Sequence, residues 1–65
     1  MYCLEVRMYC EKLKSWQPWE IRTVFDKYNS KNPRKESLQT FEKLRSVSGE
    51  IWRVTHRKKT IIEQR

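Results

Sequence analysis

Asn32-Pro33-Arg34-Lys35-Glu36-Ser37-Leu38-Gln39-Thr40-Phe41-Glu42-Lys43-Leu44 opens with two residues suited to starting a helix. An asparagine side chain can accept from the free amides of the first turn, and a proline at the first helical position has no amide to leave unpaired. Leu38, Phe41, Leu44 and Val47 then recur every three residues, giving one apolar stripe on a helix of about four turns. Ser48-Gly49 ends it, because glycine tolerates the left-handed backbone that follows a last turn. A helix with a single stripe needs an apolar layer to lie on, and the flanking sequence must supply it.

Upstream, residues 2 to 9 alternate. Tyr2, Leu4, Val6 and Met8 fall on one side, and Cys3, Glu5, Arg7 and Tyr9 on the other, the period of a half-buried strand. The pattern blurs from Glu11 to Ser15, and Trp16-Gln17-Pro18-Trp19 interrupts it because Pro18 cannot donate to a ladder. Residues 11 to 18 are therefore expected to form a loop or an irregular hairpin end. Alternation resumes with Trp19, Ile21, Thr23 and Phe25 facing the helix and Glu20, Arg22, Val24 and Asp26 facing away. This second strand stops in Lys27-Tyr28-Asn29-Ser30-Lys31-Asn32, a turn-rich stretch.

Downstream, Trp52, Val54 and His56 alternate with Ile51, Arg53 and Thr55, a third strand starting near Glu50. Beyond the basic run, the β-branched Thr60-Ile61-Ile62 either continues that strand or turns at 57 to 59 into a short fourth one. The expected architecture is a single α+β domain over residues 1–65, β-β-α-β with or without a final β. Its three- or four-stranded antiparallel sheet has the order 2-1-3, with the helix packed on one face.

Sixty-five residues hold one small core and leave little room for an enclosed active site. With one histidine, one glycine and no metal-ligand spacing, the chain is expected to be no enzyme and to carry no cofactor and no metal. Cys3 and Cys10 share an extended strand, which separates them by roughly 23 Å. That is too far for a disulfide, so reduced thiols and a cytoplasmic location are expected. No run is apolar enough to span a bilayer, and the charged first residues do not fit a signal peptide. A balance of 15 Lys plus Arg against 8 Asp plus Glu leaves a charge of +7, which draws the chain toward acidic protein faces or nucleic acid.

Three places could use that charge, and one tryptophan offers an anchor beside them. On the sheet face away from the helix, Arg7, Arg22, Arg53 and Arg57 are expected together with Tyr9 and Thr55, a set able to grip phosphates or carboxylates and to stack on a ring. The blander account of that face is a solvated one whose arginines pair with Glu5, Glu20 and Asp26. At the helix start, Lys31, Arg34 and Lys35 stand where negative charge is preferred, which suits a docked anion as well as a tolerated basic turn. The run His56-Arg57-Lys58-Lys59 suits an acidic partner, or a hairpin tip guarded by charge. Trp16, beside Pro18, is a candidate interface anchor, whereas Trp19 and Trp52 are expected in the core.

The matching stretches Leu4-Glu5-Val6-Arg7, Trp16-Gln17-Pro18-Trp19, Leu38 to Leu44, Ile51-Trp52-Arg53-Val54 and Thr60-Ile61-Ile62-Glu63 resemble a type of small bacteriophage and prophage accessory protein. The chain departs from that type in its Asn-Pro-Arg-Lys helix start and in its high positive charge. The resemblance implies a small αβ sandwich in a phage or mobile-element setting, in the host cytoplasm. It also implies an effector that docks on and modulates a host protein complex such as a polymerase, nuclease or defence assembly. The sequence thus sets out two functions: a protein-binding effector for an acidic face, or a nucleic-acid-binding accessory protein placing the same cations on DNA or RNA. No membrane partner is expected, and a homodimer through a strand edge is left open.

Overall fold

The computed structural model describes residues 1–45 and 49–64. Its elements run in the order β1 (Tyr2–Cys10), β2 (Ser15–Trp16), β3 (Glu20–Phe25), α1 (Pro33–Leu44), β4 (Glu50–His56) and β5 (Lys59–Glu63). All strand pairings are antiparallel. β1 is the centre: β4 lies along one side of it, β3 along the first half of the other side, and β2 against its last two residues. The expected 2-1-3 order corresponds to β3-β1-β4. It is extended by β5 outside β4, while the two-residue β2 pairs with the end of β1 beyond β3.

The core forms where the stripe of α1 meets the even positions of β1 and β4. Leu4, Val6, Phe41, Trp52 and Val54 are buried, with Tyr2, Phe25, Leu38, Leu44 and Ile62 packed around them. Opposite residues of an antiparallel pair share a face, so Leu4 beside Val54 and Val6 beside Trp52 make one apolar floor under Phe41. Ser37, one turn before Phe41, is fully buried and donates its hydroxyl to the Arg34 carbonyl (2.9 Å). Its small size lets the helix sit close to the sheet. Each fully buried apolar side chain here contributes about 1.5–3 kcal/mol.

The helix is shorter than expected. It ends at Leu44, where the Arg45 amide still donates to the Phe41 carbonyl. Val47 and Ser48, expected at its end, lie outside the described residues. Gly49 does take a positive φ of 81°, directly before β4. At the other end Asn32 caps as expected: its Oδ1 accepts from the Lys35 amide (3.2 Å). Glu36 reaches back to accept from the Asn32 amide (3.1 Å) and from the Ser30 hydroxyl.

Two β-bulges change which face residues occupy. On β3, Thr23 opposes Leu4 and Ile21 opposes Glu5, so Arg22 is an extra residue with no partner across the ladder. Strand alternation is thereby reversed at 22. Phe25 stays on the helix side, but Ile21 crosses to the open face and is 58% exposed. Trp19 crosses with it, which corrects the expectation that Trp19 belongs to the core. On β5 the extra residue is Ile61, between Ile62 opposite Val54 and Thr60 opposite Thr55.

The alternative left open at residues 57 to 59 resolves as a tight hairpin. His56 pairs with Lys59, and Arg57 and Lys58 alone form the turn, with φ of 53° and 65°. Positive φ at both central positions is the backbone of a type I′ turn, which Asn-Gly fills without strain. Two long side chains there cost about 1–3 kcal/mol each.

Candidate docking surface

The sheet face away from α1 is built from the odd positions of β1 and β4, the β2 end and the crossed-over part of β3. Along β1 these are Cys3, Glu5, Arg7 and Tyr9, and across from them on β4 stand Thr55, Arg53 and Ile51. The register of β1 with β2 places Trp16 opposite Tyr9, ring centroids 5.5 Å apart and nearly perpendicular. Both rings are well exposed, at 42% for Tyr9 and 40% for Trp16.

A cation–aromatic ladder connects this end to the middle of the face. The Arg7 guanidinium carbon lies 5.5 Å from the Trp16 ring and 5.1 Å from the Trp19 ring. The Arg53 carbon lies 3.9 Å from the same Trp19 ring. The electron-rich ring face attracts both cations, at about 0.5–2 kcal/mol each depending on exposure. Arg7 Nε is buried and, among the described residues, has no hydrogen-bond partner. The aromatic contacts are what compensate it.

Arg53 also grips Glu5. Its Nε (3.1 Å) and an Nη (2.7 Å) both donate to Glu5 Oε1, while the Thr55 hydroxyl donates to Glu5 Oε2 (2.6 Å). The pair is only partly open to solvent, at 22% for the Arg53 side chain and 12% for Glu5. Part of the blander expectation is therefore realised, since Arg53 has its internal carboxylate. Asp26 is instead turned onto the amides of Tyr28 and Asn29 (2.8 and 3.2 Å).

Past Glu5 the face dips into a shallow depression of about 350 Å3, lined by Met1, Cys3, Glu5, Ile21, Thr55, Arg57 and Lys58. Arg57 and Lys58 reach its rim from the strained turn, and Lys59 follows at the exposed start of β5. Of the residues expected to bind a partner, the open face and its rim thus gather Arg7, Tyr9, Trp16, Arg53, Arg57 and Lys58. Arg22 is the exposed bulge residue of β3. Arg34 and Lys35 are not part of this face: they lie in the first turn of α1, which covers the other side of the sheet. There Glu36 supplies negative charge from within, in keeping with the tolerated basic turn that was the alternative to a docked anion. Its carboxyl is held below the usual glutamate range, first by the Ser30 hydroxyl and then by the Asn32 amide.

Trp19 is the residue of this candidate surface that sequence reasoning missed. Only a sign of the bulge at Arg22 could have moved it, and no glycine or proline marks that position. Cys3 and Cys10 are both free thiols. Among the described residues no group of His, Cys, Asp or Glu is arranged to hold a metal ion, and no helix is long and apolar enough to cross a membrane.

No protein-family model, curated protein or solved structure matches this chain. The functional reading rests on the chemistry of the open face itself.

Proposed function

We propose that this chain is a non-catalytic docking protein that seats a partner protein with an acidic surface on the open face of its sheet. The observation that carries this reading is the exposed Tyr9–Trp16 pair, continued by Arg7, Trp19 and Arg53 as one contiguous aromatic–arginine strip. Trp, Tyr and Arg are the residues that dominate protein interfaces, because each buries a large area at low conformational cost. In the phage or mobile-element setting that the resemblance implies, the partner is a host protein complex whose activity the bound chain modulates.

A protein partner is favoured over nucleic acid by where the arginines go. Arg53 commits its donors to Glu5, and Arg7 is drawn against two indole rings. Neither projects as a free anion contact, and the cations left to meet an acidic partner are the exposed Arg57 and Lys58 at the rim. The rings of Tyr9 and Trp16 lean on each other edge to face, a preformed rigid anchor, where a base-stacking platform would present open ring faces.

Capture from a lysate on immobilised protein tests this, comparing the native chain with a Tyr9→Ala/Trp16→Ala variant. Both residues are outside the core, so the variant should keep its fold. The expected result is one stoichiometric polypeptide retained by the native chain and lost with the variant. Equal recovery on both, or recovery of nucleic acid alone, would remove the reading.

A further inference from the structure

The hairpin turn at Arg57-Lys58 sets two consecutive long side chains at positive φ, where among the described residues the other such residue, Lys14 (φ 50°), stands singly. Both side chains are exposed, both residues take positive φ, and neither makes a side-chain hydrogen bond or ion pair among the described residues. Asn-Gly would form the same turn at lower cost. Strain kept at an exposed turn points to something the turn presents. What it presents is two adjacent cations on the rim of the depression over Cys3 and Ile21. Among the described residues the one carboxylate lining that depression, Glu5, is already held by Arg53 and the Thr55 hydroxyl. The rim charge is therefore uncompensated from within.

We infer that this turn and depression form a subsite for an acidic polypeptide segment, in which an aliphatic side chain fills the hollow over Cys3 and Ile21 while flanking carboxylates meet Arg57 and Lys58. The inference rests on the open face being the docking surface and names the chemistry of one end of it. A nucleic acid fits less well. The hollow is floored by Cys3, Ile21 and Met1 rather than by an aromatic ring, so it offers a base no stacking partner. The two-residue β4–β5 turn gathers the two cations at one spot, which suits a local group of carboxylates better than an extended phosphate track.

The test uses the full chain, native and as Arg57→Asn/Lys58→Gly, in fluorescence anisotropy at low salt. The probes are labelled peptides of alternating Glu and Leu, alternating Gln and Leu, and alternating Glu and Ser, together with a single-stranded RNA. The native chain should bind the Glu-Leu peptide at least tenfold more tightly than either control peptide. The turn variant should lose about tenfold in affinity for it, while its thermal midpoint rises by about 8 °C or more as the strain is relieved. Unchanged peptide binding by the variant would overturn the inference, and so would no binding of the Glu-Leu peptide to the native chain. A midpoint that stays or falls would remove the strain on which it stands. Tighter binding of the RNA, lost in the variant, would assign the turn to nucleic acid instead. If Tyr9→Ala/Trp16→Ala abolishes partner capture while the turn variant keeps both capture and peptide binding, the subsite fails alone. If neither variant changes anything, the docking face fails with it.

Discussion

The guanidinium carbon of Arg53 lies 3.9 Å from the centre of the Trp19 ring, and the same guanidinium donates twice to Glu5. One residue thus joins the aromatic end of the open face to its polar middle. Trp19 reaches that position only because Arg22 is an extra residue in β3.

Replacement of Trp19 by Ala should cost about 1–2 kcal/mol, the value of partly exposed cation–aromatic contacts and limited burial. Trp52→Ala, which empties the floor beneath Phe41, should cost about 3–5 kcal/mol. Urea midpoints of the two variants measure the difference. Equal losses would return Trp19 to the core.

Glu5 and Arg53 should couple by about 1 kcal/mol, because the pair is shielded but not dry. A double-mutant cycle with Glu5→Gln and Arg53→Gln, followed by urea denaturation, reads this directly. A coupling near zero would mean that solvent screens the pair fully. Because Arg53 anchors Glu5, its replacement confuses binding with folding, and Tyr9 and Trp16 are the cleaner reporters of docking.

Acid should loosen the start of α1. The Glu36 carboxyl is held below its ordinary range in the folded chain by the Ser30 hydroxyl and the Asn32 amide. A group whose folded value is depressed adds stability above its unfolded value and loses it as pH falls through the folded one. Stability should therefore decline as pH drops from the ordinary glutamate range downward, and Glu36→Gln should flatten that part of the curve. Thermal midpoints from neutral to acidic pH test this. An identical slope in the variant would rule Glu36 out as its source.

Much of the framework was legible from periodicity. Tyr2 to Met8, Trp52 with Val54, and Leu38 with Phe41 and Leu44 each show the spacing of their element, and the helix start at Asn32-Pro33 carries its own capping chemistry. What escaped has a physical reason in each case. Ser37 is buried for its small size, which no apolar pattern reveals. Trp19 and Ile21 continue the alternation of Thr23 and Phe25 in the sequence, yet an unmarked bulge turns them to the opposite face. The Arg57-Lys58 turn was not decided because its residues are poor turn formers, and that same mismatch now marks it as a place of interest.

The edge strands β3 and β5 each carry a bulge, the third edge strand β2 is only two residues long, and both features disturb the regular edge that another strand would need. Strand-edge dimerisation, which the sequence left open, is thereby discouraged. The chain should be monomeric in light scattering at micromolar concentration. A stable dimer would mean that an edge pairs despite its bulge.

The most direct test of docking on the open face follows the indole N–H signals of Trp16, Trp19 and Trp52 by NMR while the captured partner is added. Trp16 and Trp19 belong to the proposed surface, and Trp52 lies beneath the helix as an internal control. The account expects the Trp16 and Trp19 signals to shift or broaden while Trp52 stays in place. Perturbation confined to Trp52 and the amides of α1, with Trp16 and Trp19 unmoved, would contradict it.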